Sequence, residues 1–297
     1  MEQNKAIDKE KQLRQIAEML LLNGTLVECA GLIHGKTGLA IFFFHYARYT
    51  GNALFEDYAM DLISEEQHQI HTNSPANYEN GIAGIGVGID YLIRNNFIDA
   101  DADIFDDFDQ RMFRAVMYDP WPDFSLYDGL MGYGRYWITR LRYPVPSAQA
   151  RECLLRIITL IEENLPKIPA NEQIDVYCFL HDLQEISDFE VWGKHTLPLR
   201  NRISNSTIQN DDITNVIERG FSCLGDSLTG NMARLVQQCR YFNADRQVDI
   251  NATLMQIPDL DMEKAPESMG LLNGYAGEGM LRLTAINQID MIWTNLL

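Results

Sequence analysis

Residue types that carry chemistry recur at one place in this chain, immediately before a short glycine motif. His34, Asn80, Asp128, Asp226 and Asn273 precede Gly35-Lys36-Thr37-Gly38, Gly81-Ile82-Ala83-Gly84, Gly129-Leu130-Met131-Gly132, Ser227-Leu228-Thr229-Gly230 and Gly274-Tyr275-Ala276-Gly277. Three chemistries suit such a set. Asp128, Asp175 and Asp226, from successive copies, would act as the paired acid and base of a glycoside hydrolase if they met in one cleft. Cys178 and His181, three residues apart on a helical face, would form a shifted metal set with Cys223 and His34 from neighbouring copies. Asp or Asn ahead of a helix is also a favoured cap whose oxygen accepts a free backbone N–H, and this is the role expected of Asp128 and Asp226, with both carboxylates ionised.

Three motifs extend to Gly-x-x-Gly-x-Gly, at Gly81, Gly84 and Gly86, at Gly129, Gly132 and Gly134, and at Gly274, Gly277 and Gly279. A dinucleotide fingerprint needs a preceding strand in a βαβ unit, and no segment here alternates as a strand does. The glycines therefore read as packing devices that let neighbouring elements approach closely.

The first residues of the cores stand at positions 35, 81, 129, 227 and 274, at intervals of 46, 48, 98 and 47. The double interval predicts a fourth copy that has lost its glycines, near 177 in Asp175 to His181, with a helix over roughly residues 173 to 186. Before the motifs lie amphipathic helices, with apolar stripes at Leu13, Ile16, Ala17 and Leu20, at Phe55, Tyr58, Ala59, Leu62 and Ile63, and at Leu154, Ile157, Ile158 and Ile161, the last behind a Ser147 N-cap. After them come helices apolar nearly all round, most plainly Leu39 to Phe44. Six outer and six inner helices in alternation predict an all-α chain, one domain over 1–297, folded as a closed α/α toroid of six helical hairpins. The motifs would stand at inner-helix N-termini, starting near 36, 82, 130, 228 and 275, around the mouth of a central cavity. An open stack would need end repeats with a polar outer face, and the first inner helix is the most apolar of all. Residues 187–210 are rich in turn formers and read as a long connection, a candidate lid.

The chain has 297 residues, of which 46% are hydrophobic and 22% charged, an ordinary globular composition. Lys and Arg number 24 against 42 Asp and Glu, a formal charge of −18 that repels a phosphate backbone and excludes nucleic acid as a partner. The start shows no secretory leader, and the longest apolar run is far shorter than the roughly 20 residues of a membrane span. Five cysteines, an odd number lying in helical segments, are expected to be reduced thiols in a soluble, cytoplasmic protein.

Gly270-Leu271-Leu272-Asn273-Gly274-Tyr275-Ala276-Gly277-Glu278-Gly279, Tyr127-Asp128-Gly129-Leu130-Met131-Gly132 and Thr229-Gly230-Asn231 resemble the motifs of the lanthionine synthetase C-like (LanC-like) family. The resemblance implies an α/α toroid with zinc at the cavity mouth. It also implies an activity, thioether ring closure in precursor peptides by addition of a zinc-bound cysteine thiolate to a dehydro amino acid. The family's ligands, a Cys two residues before the fourth-copy glycine and a Cys-His pair just before the next, fall on Asp175, Gly225 and Asp226. Such a set suits zinc poorly. The implied protein is thus a divergent member without a bound cofactor, either a metal-poor cyclase or a non-catalytic partner of a precursor peptide or of peptide-modifying enzymes. By the same resemblance Asp128 assists proton transfer and His34 matches a family His-Gly element, with Asp226 the third candidate catalytic residue. Asn80, Tyr127, Asn273, Tyr275 and Trp121 are the candidate substrate contacts. The cluster Tyr118, Pro120, Trp121, Pro122, Phe124 and Tyr127 suits a peptide groove and equally suits packing of a loop over the barrel end.

Overall fold

Helices begin at the second residue of each glycine motif. In the computed structural model, which describes all residues except 1, 68–73, 100, 102, 143–146, 187–188, 209–220, 243–249 and 260–267, the helices read from the sequence as inner are α2 (Lys36–Thr50), α4 (Ile82–Arg94), α6 (Leu130–Leu141), α8 (Ala170–Gln184), α10 (Leu228–Tyr241) and α12 (Tyr275–Ala285). Before each of these in the chain, respectively, lie α1 (Glu2–Asn23), α3 (Ala53–Gln67), α5 (Asp106–Met117), α7 (Ala148–Asn164), α9 (Phe189–Ile203) and α11 (Ile250–Met255). The chain is all-α: among the described residues the only β-type pairing is an isolated bridge between Ser268 and Gly274. Five inner helices start at the expected residues. No helix among the described residues is long and apolar enough to cross a membrane, and none of the five cysteines is joined in a disulfide.

One backbone device opens four of the inner helices. Lys36, Ile82, Leu130 and Tyr275 each donate their N–H to the carbonyl seven residues earlier, on Cys29, Pro75, Asp123 and Ser268, at 2.9–3.0 Å. The loop is so tightly wound that a Cβ on Gly35, Gly81, Gly129 or Gly274 would meet a backbone oxygen at 2.4–2.5 Å. The fifth copy has Ser227 at that place, and its hydroxyl accepts the Gly230 N–H as a side-chain cap instead. The third glycine of the extended motifs makes room for a ring of the next copy: a Cβ on Gly86, Gly134 or Gly279 would lie 2.6, 2.4 or 2.3 Å from Tyr136, Phe179 or Phe42.

Contacts divide the chain into two compact units, Met1–His71 with Tyr91–Ile98 and Leu224–Leu297, and Thr72–Asp90 with Asp99–Cys223. In the first, the last copy packs on the first: the Leu271 and Leu272 N–H groups donate to the Ile33 carbonyl at 2.8 and 3.3 Å. The buried Arg282 of α12 reaches Gln12 of α1, Glu278 and the Pro258 carbonyl. The second unit repeats the junction between copies two and three, where the Tyr78 and Glu79 N–H groups donate to the Tyr127 carbonyl at 2.8 and 3.2 Å. Beneath it a buried network joins α5 to α6, with Asp109 accepting from Tyr136 at 2.5 Å and, bidentately, from Arg140 at 2.9 and 3.1 Å.

Three expectations are corrected. The fourth copy does have a helix, but it starts at Ala170. Phe179 bears the same relation to Glu172 as Tyr136 does to Gly129 and Phe42 to Gly35, so this copy's entry is at Glu172 and not near 177. Residues 189–203 are a helix: Trp192, Thr196, Leu199 and Ile203 form its buried stripe, and tertiary burial overrides the helix-breaking Pro198, which lies on the exposed side. Asp128 and Asp226 cap nothing, because extended backbone at Gly129 and Ser227 makes those residues the N-caps and leaves both carboxylates outside the helix and exposed. Ser147 does occupy its N-cap position, without a side-chain bond to the helix.

Candidate functional site

The loop that carries Asp128 in the second unit is pinned from two sides. Its Phe124 N–H donates to Glu172 Oε2 at 2.9 Å, and its Leu126 N–H donates to Asp175 Oδ2 at 3.0 Å. Glu172 and Asp175 are three residues apart, on one face of the first turns of α8. At the junctions between copies two and three and between copies six and one, the N–H at the same motif position goes to a backbone carbonyl. In the fourth copy the entry loop has been absorbed into helix, whose carbonyls are committed to intrahelical bonds, so the Asp175 carboxyl supplies the acceptor. Its other oxygen has no hydrogen-bond partner among the described residues.

Electrostatics single out the same carboxyl. Burial pushes Asp175 up to about 7, against the opposing pull of the Leu126 N–H and of Arg135. Glu172 is raised by burial too, with the Phe124 N–H opposing. Arg135 lies over the Tyr78 ring, 5.2 Å from its centroid, and reaches the Tyr78 hydroxyl at 3.4 Å. Tyr78 in turn stacks on Tyr127 at 6.5 Å. The Tyr127 hydroxyl is buried without a hydrogen-bond partner among the described residues, and burial holds the phenol well above its ordinary range. Asp175, Arg135, Tyr78 and Tyr127 thus form one polar cluster under the loop, with a carboxyl that changes charge near neutrality.

Beside the cluster opens a pocket of about 420 Å³, lined by Trp121, Pro122, Asp123, Phe124, Asn164, Lys167, Ile168, Pro169 and Glu172. Trp121 therefore fronts a cavity, while Phe124 is buried beneath the loop. Asp128 is exposed and accepts from Asn77 at 3.1 Å; Asn80 is also exposed.

The remaining sequence candidates belong to the first unit. Asn273, at φ 56, accepts from the Ser227 hydroxyl, and its amide packs on Gly225, whose φ is 67. That arrangement makes Asn273 a joint between copies five and six. Tyr275 is buried in the first turn of α12, and the backbone of His34 lies against Gly270. The Asp226 carboxylate is fully exposed, 3.9 Å from Arg234.

A zinc ion would find little here. Gly225 offers no side-chain donor, Asp226 faces solvent beside a guanidinium, and Asp175 spends an oxygen on the Leu126 N–H. Counted from the observed entry at Glu172, the first ligand position is Ala170, with no donor at all. Among the described residues, the one group of three potential ligands with atoms within 4.8 Å is His181, Asp182 and Glu185, at the end of α8, and neither Cys178 nor Cys223 joins it. Sequence reasoning missed Glu172, Arg135, Tyr78 and Lys167; only the i, i+3 spacing of Glu172 and Asp175 signalled any of them. No family model matches the chain, and no curated protein matches it.

Proposed function

We propose that this chain is a LanC-like α/α-toroid protein of ribosomal-peptide modification, one that holds a precursor peptide for modifying enzymes and does not close thioether rings through zinc. The repeated inter-copy bond supports the ring, because copy six meets copy one as copy two meets copy three. The observation that carries the binding role is at Asp175, the residue on which the sequence resemblance alone places the first zinc ligand: its carboxyl is bonded to the Leu126 N–H, beside an open pocket fronted by Trp121. Without a metal a peptide thiol, with an ordinary pKa of about 8.5, stays mostly protonated at neutral pH.

The test uses a fluorescently labelled synthetic peptide with one dehydroalanine and one cysteine, incubated with the protein and added zinc. Anisotropy reads binding, and capture of the remaining thiol by N-ethylmaleimide reads ring closure. The expected result is saturable binding with the thiol fully retained. Protein-dependent loss of the thiol would establish a cyclase and overturn the proposal; absence of binding would remove the peptide role.

A further inference from the structure

The pocket at the edge of the second unit combines features that its structural duties leave unused. Trp121 is 55% exposed, whereas Trp137, Trp192 and Trp293 are completely buried. Tyr118, three residues before it, is 77% exposed. An indole held open at the mouth of a cavity loses hydrophobic stabilisation unless something covers it. Two carboxylates, Asp123 and Glu172, share the wall with one ammonium, Lys167, and none of the three forms an ion pair with another. Glu172 accepts the Phe124 N–H through Oε2, and Asp123 accepts the Ser125 N–H at 2.6 Å through Oδ1. Each carboxylate is thereby fixed in place with a second oxygen unbonded among the described residues. The lining carries one net negative charge within a chain of net charge −18, so the field favours a cation and disfavours an anion.

We propose that this pocket takes the cationic side chain of a bound peptide, an arginine by preference, stacked on Trp121 and hydrogen-bonded by Glu172 and Asp123. A guanidinium suits it on three counts. Its flat face covers an indole, its forked N–H groups meet carboxylate oxygens, and it gives up its hydration more readily than an ammonium. Pro122, Pro169 and Ile168 supply apolar walls for the methylene stem. The inference rests on the peptide-binding role proposed above and names the residue recognised.

Because Trp121 is the exposed indole among four tryptophans, iodide-quenchable fluorescence reports on this site selectively. The probes are acetyl-Gly-Arg-Gly-amide, its citrulline analogue, which has the same shape without the charge, and acetyl-Gly-Glu-Gly-amide. The expected result is saturable protection of Trp121 from iodide by the arginine peptide, with the citrulline peptide about tenfold weaker and the glutamate peptide inert. The Glu172→Gln variant keeps an acceptor for the Phe124 N–H and should bind the labelled arginine peptide about three- to tenfold more weakly by anisotropy. Trp121→Ala, at an exposed position, should abolish that binding while leaving the thermal midpoint unchanged. Equal protection by citrulline, or tighter binding of the glutamate peptide through Lys167, would overturn the cation preference and leave the peptide role standing. If none of the three protects Trp121, the pocket is not the recognition site, and the dehydroalanine-peptide experiment decides the wider role by itself.

Discussion

Replacing Asp175 by asparagine keeps an oxygen for the Leu126 N–H and removes the charge that burial opposes; replacing it by alanine removes both. In the folded chain Asp175 titrates near 7, above its ordinary 3.8. Between those values the folded state holds a proton that the unfolded state has released, so this group's contribution to stability falls as pH rises through the window and is lowest above 7. The shift corresponds to an upper bound of about 4 kcal/mol, and because water reaches part of the side chain we take about 2 kcal/mol. Asp175→Asn should therefore match the parent near pH 4 and exceed it by about 2 kcal/mol at pH 8. Asp175→Ala should lie below Asp175→Asn by about 1–3 kcal/mol at every pH, the cost of a backbone N–H left without an acceptor. His45 titrates with the opposite sign. Burial, with Arg48 beside it, lowers it to about 3, and its ring lies 2.8 Å from the Tyr91 hydroxyl. Its contribution rises with pH from about 3 to its ordinary 6.5, so the asparagine variant should show this upward slope more steeply than the parent, by up to about 1.4 kcal/mol per pH unit. Urea unfolding at pH 4, 5.5, 7 and 8 measures all of this. A variant Asp175→Asn less stable than the parent at pH 8 would refute the reasoning, since the carboxylate would then be stabilised in its charged form.

Three further outcomes are expected. Asp128→Ala and Asp226→Ala, exposed and capping nothing, should each shift the urea midpoint by less than about 0.5 kcal/mol equivalent, and a cost above 1 kcal/mol would restore them as caps. Asp109→Ala strands the buried Arg140 guanidinium and the Tyr136 hydroxyl and should cost about 3–5 kcal/mol in chemical unfolding; a loss below 1 kcal/mol would show the network to be dispensable. Gly277→Ala adds a Cβ 1.9 Å from the Leu271 carbonyl. Despite alanine's advantage of about 1 kcal/mol within a helix, it should lower the thermal midpoint, and an unchanged or raised midpoint would mean that the loop can move aside.

The features legible in the residues are those encoded by local spacing. Four of the helices read as inner start where glycine demands, because a backbone carbonyl packed against the first helical turn admits no Cβ whatever the rest of the molecule does, and a fifth starts after Ser227, whose hydroxyl caps the first turn instead. The outer stripes, such as Leu13, Ile16, Ala17 and Leu20, follow equally directly from the 3.6-residue period, and all four are buried. What escaped the sequence depends on residues far apart in the chain. The entry of the fourth copy is placed by Phe179 packing into the space left by Gly134. The helix through Pro198 survives because Trp192 and Ile203 are buried, a fact of neighbours and not of propensity. Asp128 and Asp226 looked like caps because the choice between capping and facing solvent turns on one residue of helix phase. Asp175 looked like a lost metal ligand, and only the folded chain brings the Leu126 N–H to its carboxyl and removes enough water to hold it near neutrality. Hydrogen-bond partners and desolvation are properties of the packed environment, and spacing along the chain carries no record of them.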